Sequence, residues 1–155
     1  MLLEREDVNP NQPDTEYGWT PLSWAATEGH EGVVNLLLER EDVNPNQELK
    51  IFGYRHTLLT FAAKAGHEGV VKILLARGGV NPDQADTEDG RTPLSWAAEK
   101  GHEGIVKMLV ERSDVNPNRP DARWYRTPLS WAIQNKHIGV VKILKTGRRP
   151  HHHTR

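Results

Sequence analysis

Four histidines, His30, His67, His102 and His137, recur at matched places, and the first three precede Glu31, Glu68 and Glu103. Imidazole titrates near neutral pH and binds metals, so a repeated histidine–glutamate pair invites an acid–base or zinc reading. The spacing argues otherwise. His-Glu-Gly lacks the second histidine one helical turn on that a His-Glu-x-x-His zinc face requires. Residues that recur once per stacked unit stand roughly 10 Å apart, at helix-packing distance, and do not converge on one ion. The column reads instead as a hydrogen bond across the turn between two helices. His151, His152 and His153 could hold a divalent ion weakly; an expression-tag remnant or inert tail is the other reading. Gly32, Gly69, Gly104 and Gly139 open no phosphate loop, because neither glycine-rich nucleotide motif occurs, and they point to close approach between units. No nucleophile–base pair, carboxylate dyad or metal set has usable spacing, so no catalytic residue, metal site or cofactor is assigned.

Composition narrows the classes further. The chain has 155 residues, with 20 basic and 21 acidic side chains, a formal charge of −1 and no cysteine. That length suits one compact domain or a short solenoid. A neutral balance argues against a dedicated nucleic-acid or membrane-surface binder. Without cysteine there is no disulfide framework and no thiolate site, which fits a reducing compartment. The opening residues carry no apolar signal core, and no apolar run approaches the roughly 20 residues needed to span a bilayer. The expected address is the cytoplasm, with the nucleus also open.

The elements that would position any site repeat. Thr20-Pro21-Leu22-Ser23-Trp24-Ala25-Ala26 returns at 92–98, at 127–133 with Ile133 for the second alanine, and more loosely at 57–63. The starts at 20, 57, 92 and 127 lie 37, 35 and 35 residues apart. Aligning 20–47 with 92–119 gives 20 identities in 28 positions. Within a unit, Thr20 reads as an N-cap with Pro21 at the first helical position. Gly29 reads as the left-handed terminator. Val33, Val34, Leu36, Leu37 and Leu38 carry a second helix ending near Arg40, and Asp42-Val43-Asn44-Pro45-Asn46 breaks it into an extended finger. One helix pair cannot bury its apolar face alone; four stacked units build a continuous core.

The Thr-Pro-Leu-x-x-Ala-Ala-x-x-Gly-His-x-x-x-Val-x-x-Leu-Leu run resembles the ankyrin repeat from Met1 to about Lys145. The resemblance implies an all-α solenoid of helix–turn–helix units with extended β-hairpin or loop fingers. The usual period is 33, so these units carry two to four extra residues in the finger, and Ser23, Ser95 and Ser130 stand where the family favours histidine. The wording is similar to the highly self-similar ankyrin arrays of filamentous fungi, which often follow a NACHT-type nucleotide-binding domain; nothing of that domain occurs in this chain. The expected organisation is a partial repeat at 1–16, repeats at 17–53, 54–88, 89–123 and 124–146, and a disordered tail at 147–155. Residues 2–12 match 37–47 without a change, so the start reads as a cut through a longer array or a shortened gene product. Ile133, Gln134, Asn135, Lys136 and Lys145 depart from the pattern together and read as a polar C-terminal cap.

The aromatic column Trp24, Phe61, Trp96 and Trp131 reads as packing, with part of each ring free to line the inner face. The changing positions carry more information about function. Fingertips vary through Tyr17 and Trp19; Phe52, Tyr54, Arg55 and His56; Asp89 and Arg91; Trp124, Tyr125 and Arg126. The ends of the first helices vary through Thr27-Glu28, Lys64-Ala65, Glu99-Lys100 and Gln134-Asn135. The resemblance places these positions on a concave binding face. The candidate partner-binding set is Tyr17, Trp19, Thr27, Glu28, Tyr54, Arg55, His56, Lys64, Asp89, Arg91, Glu99, Lys100, Trp124, Tyr125, Arg126 and Gln134. Aromatics and arginine are the types enriched in interface hot spots; relaxed drift in exposed loops is the competing account. The expected function is a monomeric, non-catalytic module that binds another protein or peptide, with no nucleic acid and no membrane partner. A ligand-sensing or regulatory fragment of a larger NACHT–ankyrin-like protein is the alternative.

Overall fold

The computed structural model describes residues 9–146. The expected tail at 147–155, the three terminal histidines and the first half of the partial repeat, residues 1–8, lie outside the described residues. Eight helices follow in pairs: α1 (Pro21–Glu28) and α2 (Glu31–Leu38), α3 (Leu58–Ala65) and α4 (Glu68–Leu75), α5 (Pro93–Lys100) and α6 (Glu103–Val110), α7 (Pro128–Gln134) and α8 (Ile138–Thr146). The strands β1 (Glu48–Ile51) and β2 (Tyr54–Thr57) form one antiparallel hairpin before α3. First helices pack on first helices in chain order, and second helices on second helices, which is the all-α solenoid.

Local chemistry sets each helix. Thr20, Thr57, Thr92 and Thr127 sit in extended backbone and accept from the N–H three residues on, with proline opening three of the four helices. Each helix is about two turns, too short to persist alone, so its stability comes from burial between neighbours. The alanine pairs Ala25-Ala26, Ala62-Ala63 and Ala97-Ala98 are buried at 4% exposure or less, which lets adjacent first helices approach closely. Leu22, Leu59, Leu94, Val34, Val71, Val106, Leu37, Leu74 and Leu109 repeat in register to make one continuous core. In the last pair Ile133 is 55% and Ile138 is 70% exposed, so its outer side mixes apolar surface with the exposed Lys136 and Lys145. Lys136 keeps the left-handed turn that Gly29, Gly66 and Gly101 make, at φ 61°.

Three kinds of joint tie one unit to the next. The histidine column makes the first, and its bond crosses between units rather than the turn within one. His67 Nε2 lies 3.0 Å from the Thr27 carbonyl, His102 Nε2 3.0 Å from that of Lys64, and His137 Nε2 2.8 Å from that of Glu99. A carbonyl only accepts, so Nε2 carries the proton in each case. The imidazole lies flat against the preceding terminator: a Cβ on Gly29 would meet His67 Nδ1 at 2.6 Å, and one on Gly101 would meet His137 Nδ1 at 2.6 Å. Glycine is therefore required there twice over, by φ and by space. In the second joint the glutamate after each histidine reaches forward. Glu31, Glu68 and Glu103 carboxylates cover Gly69, Gly104 and Gly139 within the first turn of the next second helix, where a negative charge is favoured. In the third, the Asn11 amide donates to the Asp42 carbonyl and the Asn46 amide to that of Gly79, both at 2.7 Å.

Candidate functional site

The fingers are closed by an aspartate that sequence reasoning did not single out. Asp86 Oδ1 accepts from the backbone N–H groups of Asp89, Gly90 and Arg91 at 2.9, 3.1 and 3.3 Å, while Oδ2 accepts from the Trp96 indole at 2.8 Å. Asp14 does the same with Glu16, Tyr17, Gly18 and Trp24, and Asp121 with Trp124 and Trp131. Hydrogen bonds led by that from the Tyr17 N–H hold the Asp14 carboxyl below the usual carboxylate range. One carboxylate thus folds a finger and fixes the tryptophan beneath it. Thr57 has Ile51 where the other units have aspartate, and Phe61 where they have tryptophan. Donor and acceptor have gone together, and this finger closes by strand pairing instead. Its turn residues Phe52 and Gly53 sit at φ 50° and 87°, the left-handed pair that a two-residue hairpin loop needs.

The residue just before each capping threonine packs against aromatic rings, two of them for Trp19 and Arg91 and one for His56 and Arg126. Arg91 is 2% exposed, with its guanidinium 3.8 Å from the Trp96 ring centre and 4.1 Å from that of Trp131. Its Nη1 donates to Glu99 at 2.9 Å, Nε to the Ser95 hydroxyl at 3.1 Å, and Nη2 to the Ser95 carbonyl at 3.1 Å. Burial pulls the guanidinium below the ordinary arginine value, and the Glu99 carboxylate opposes that pull. Trp19 takes the equivalent place between Trp24 and Phe61, with ring centres 4.6 and 6.4 Å away. His56, 8% exposed, packs edge-on to Phe61 at 5.3 Å, with Nδ1 4.0 Å from Asp86. Arg126 lies 5.0 Å from the Trp131 ring centre and hydrogen-bonds Gln134. A column of rings and flat cations therefore runs from unit to unit beneath the fingers.

This sorts the candidate residues. Arg91, His56 and Asp89 are buried, Asp89 pairing with Arg123 at 3.0 Å, so their side chains belong to the frame. Trp19, Glu99 and Arg126 are half-buried in the same column, and Thr27 bonds its own helix through the Ser23 carbonyl at 3.0 Å. Lys64 is exposed but lays its ammonium 4.2 Å over Trp96. Glu28, Lys100 and Gln134 stay exposed on the first-helix ends. Arg55 is exposed, 3.8 Å from Glu48, while its main chain joins Thr87 of the next finger at 2.7 and 3.1 Å. The exposed aromatics gather at the tips: Tyr17 57%, Phe52 95%, Tyr54 43%, Trp124 43% and Tyr125 79%. Phe52 is absent from the candidate set above, although its place in a fingertip was visible. Among the described residues no three His, Asp or Glu side chains come together in a metal-binding group, and no helix is long and apolar enough to cross a membrane.

Paired helices stacked in two rows, with a finger projecting between pairs, define a helical-repeat solenoid. A family model of ankyrin repeats (3 copies) matches residues 41–121 and 59–153, and a single ankyrin-repeat model matches 17–48. The chain belongs to the ankyrin-repeat family. Ankyrin repeats are generally protein–protein interaction modules, and the family is typically non-enzymatic. No curated relative matches the chain.

Proposed function

We propose that the fingertips and first-helix ends form a docking surface for another protein or peptide, and that the chain acts there as a monomeric, intracellular, non-catalytic binding module. One observation carries the reading. Tyr125 takes a left-handed backbone at φ 56°, where Gly18 and Gly90 stand in other fingers, and its ring is 79% exposed. Phe52, at φ 50° and 95% exposure, takes the left-handed conformation that its hairpin turn imposes and still leaves its ring in solvent. A left-handed non-glycine residue costs roughly 1–2 kcal/mol, and neither ring recovers that by burial within the chain. Strain that buys no packing is a mark of a functional position. Neighbouring Trp124, 43% exposed and edge-on to Trp131 at 5.6 Å, adds a rigid aromatic anchor.

The test sets stability against binding. A partner is isolated on the immobilised chain from its native cell and its affinity measured directly with purified protein. Tyr125→Gly is expected to raise stability by about 1 kcal/mol while weakening binding at least about tenfold. Unchanged affinity in the stabilised variant would refute the surface. A second reading, a regulatory piece of a NACHT–ankyrin-like protein with fungal-type arrays, is favoured by the self-similarity of the repeats, 20 identities in 28 positions between 20–47 and 92–119. A NACHT-type sequence in the same reading frame is its test.

A further inference from the structure

The second finger differs from the others at two positions of the ring column, and the difference leaves a hollow. At the matching place one unit on, Arg91 fills the space under the finger and bonds Ser95 and Glu99. Here the shorter His56 and Phe61 replace arginine and tryptophan, and no hydrogen bond joins His56 to Thr60 or Lys64. A depression of about 260 Å³ opens between the hairpin, α3 and the tip of the next finger. Ile51, Phe52, His56 and Phe61 line it together with Lys64 and Glu88, one charge of each sign. A concave apolar site with a few polar groups at its edge is what holds a ligand side chain.

Charge selects what surrounds that side chain. Lys64 pairs with no carboxylate among the described residues, and neither does the exposed Lys100 one unit on. Arg126 continues the positive side toward the last unit, while Glu16 and Glu28 make the opposite end negative. Arg91 and Arg123 do not add to this field, since Glu99 and Asp89 neutralise them.

We infer that this hollow is an anchor pocket for one aromatic or branched apolar side chain of an extended partner segment, whose acidic residues lie toward Lys100 and Arg126. The inference rests on the docking-surface reading and narrows it to a partner chemistry. Charge complementarity of this kind fixes register and direction more than it adds affinity, so the segment runs one way along the face.

A random peptide library displayed on phage is selected on the full chain. The expected consensus is one aromatic or branched apolar residue with acidic residues concentrated on one side of it. Phe61→Trp, which restores the ring the other units carry, should lower affinity for the selected peptides at least about tenfold. Lys64→Glu, at an exposed position, should weaken the same peptides and lower their salt dependence, leaving the part due to Lys100 and Arg126. Far-ultraviolet circular dichroism confirms that both variants are folded. Peptides without an apolar anchor, a basic consensus, equal binding to Phe61→Trp, or no enrichment would each overturn the pocket. If Tyr125→Gly loses the natural partner while Phe61→Trp binds selected peptides normally, the docking surface stands and the pocket falls. If neither variant affects the natural partner, both fall.

Discussion

Asp83 offers the sharpest test of the unit-to-unit joints. Asn11 and Asn46 each donate an amide hydrogen to a carbonyl of the following unit, at 2.7 Å. Asp83 occupies the same place in the next copy of the Val-Asn-Pro motif, and a carboxylate has no hydrogen to give. Its Oδ2 accepts from the Asn116 N–H at 3.2 Å and lies 3.8 Å from Arg119, but Oδ1 is buried with no partner. By register the group facing it is the Asp114 carbonyl, another acceptor. Burial raises the Asp83 pKa, with the Asp114 carboxylate adding to the rise, against the Asn116 hydrogen bond and the Arg119 charge. Asp83→Asn supplies the missing donor. A buried unsatisfied acceptor costs about 1–3 kcal/mol and a restored neutral hydrogen bond returns about 1 kcal/mol. The attraction lost to Arg119, which is 42% exposed, is under about 1 kcal/mol. The net expectation is stabilisation by about 1–2 kcal/mol at pH 7, or a rise of about 3–6 °C in Tm for a chain of this size.

The pH dependence gives the sign. A carboxyl whose folded pKa lies above its unfolded value of 3.8 contributes stability that is fully present below 3.8 and lost as pH rises through the folded value. Protonated aspartic acid can donate just as asparagine does, so the two proteins should nearly match in acid. The variant's advantage should then grow as pH rises above 3.8 and level off once Asp83 is fully ionised. Urea unfolding of both proteins from pH 3 to 7 measures the difference directly, and the other carboxylates cancel in it. An advantage that is flat, that shrinks with rising pH, or that is a loss at pH 7 would refute the assignment.

Two further substitutions probe the ring column. Arg91→Ala removes a guanidinium held between two tryptophans and strands Glu99, so urea unfolding should show a loss of about 3 kcal/mol; a loss below about 1 kcal/mol would place Arg91 outside the frame. Asp86→Asn keeps one acceptor oxygen but turns an amide toward the Trp96 indole or the finger N–H groups. It should cost about 1–3 kcal/mol and shift the tryptophan fluorescence before global unfolding, whereas an unchanged spectrum would mean the Asp86–Trp96 bond is not held.

The frame was legible wherever one residue type does one local task. Threonine caps, the proline after them and the left-handed glycines follow from backbone chemistry alone, and the repeat made them unmistakable. The histidine column was legible as structural, but its acceptor was not, because the carbonyl it reaches lies in the unit before: 40 residues separate His67 from Thr27. Asp14, Asp86 and Asp121 were missed because aspartate in a loop looks like ordinary turn chemistry. A signal was present, since Ile51 and Phe61 depart together from the aspartate and tryptophan of the other three units. The pocket under the second finger was invisible for a related reason. It is made by what two side chains fail to fill, and volume between units is not written in any one position.

Variation between units therefore has two physical sources that look alike in the sequence. At the positions before the capping threonines, Trp19, His56 and the arginines Arg91 and Arg126 follow from the rings beside each. Arginine suits a gap between two tryptophans, where both flat faces are used and Glu99 takes the charge. Tryptophan suits the wider gap toward Phe61. A change in one ring must then be answered by its neighbour, and substitutions there should couple strongly across units. Among the described residues no ring contact constrains Phe52 or Tyr125, whereas Tyr17 packs against Trp19 and Trp24 at 5.8 and 5.9 Å and Trp124 against Trp131 at 5.6 Å. On the proposed docking surface, exposure at the tip and the left-handed backbone of Phe52 and Tyr125 set recognition apart from joint-making, a distinction that variability alone does not make.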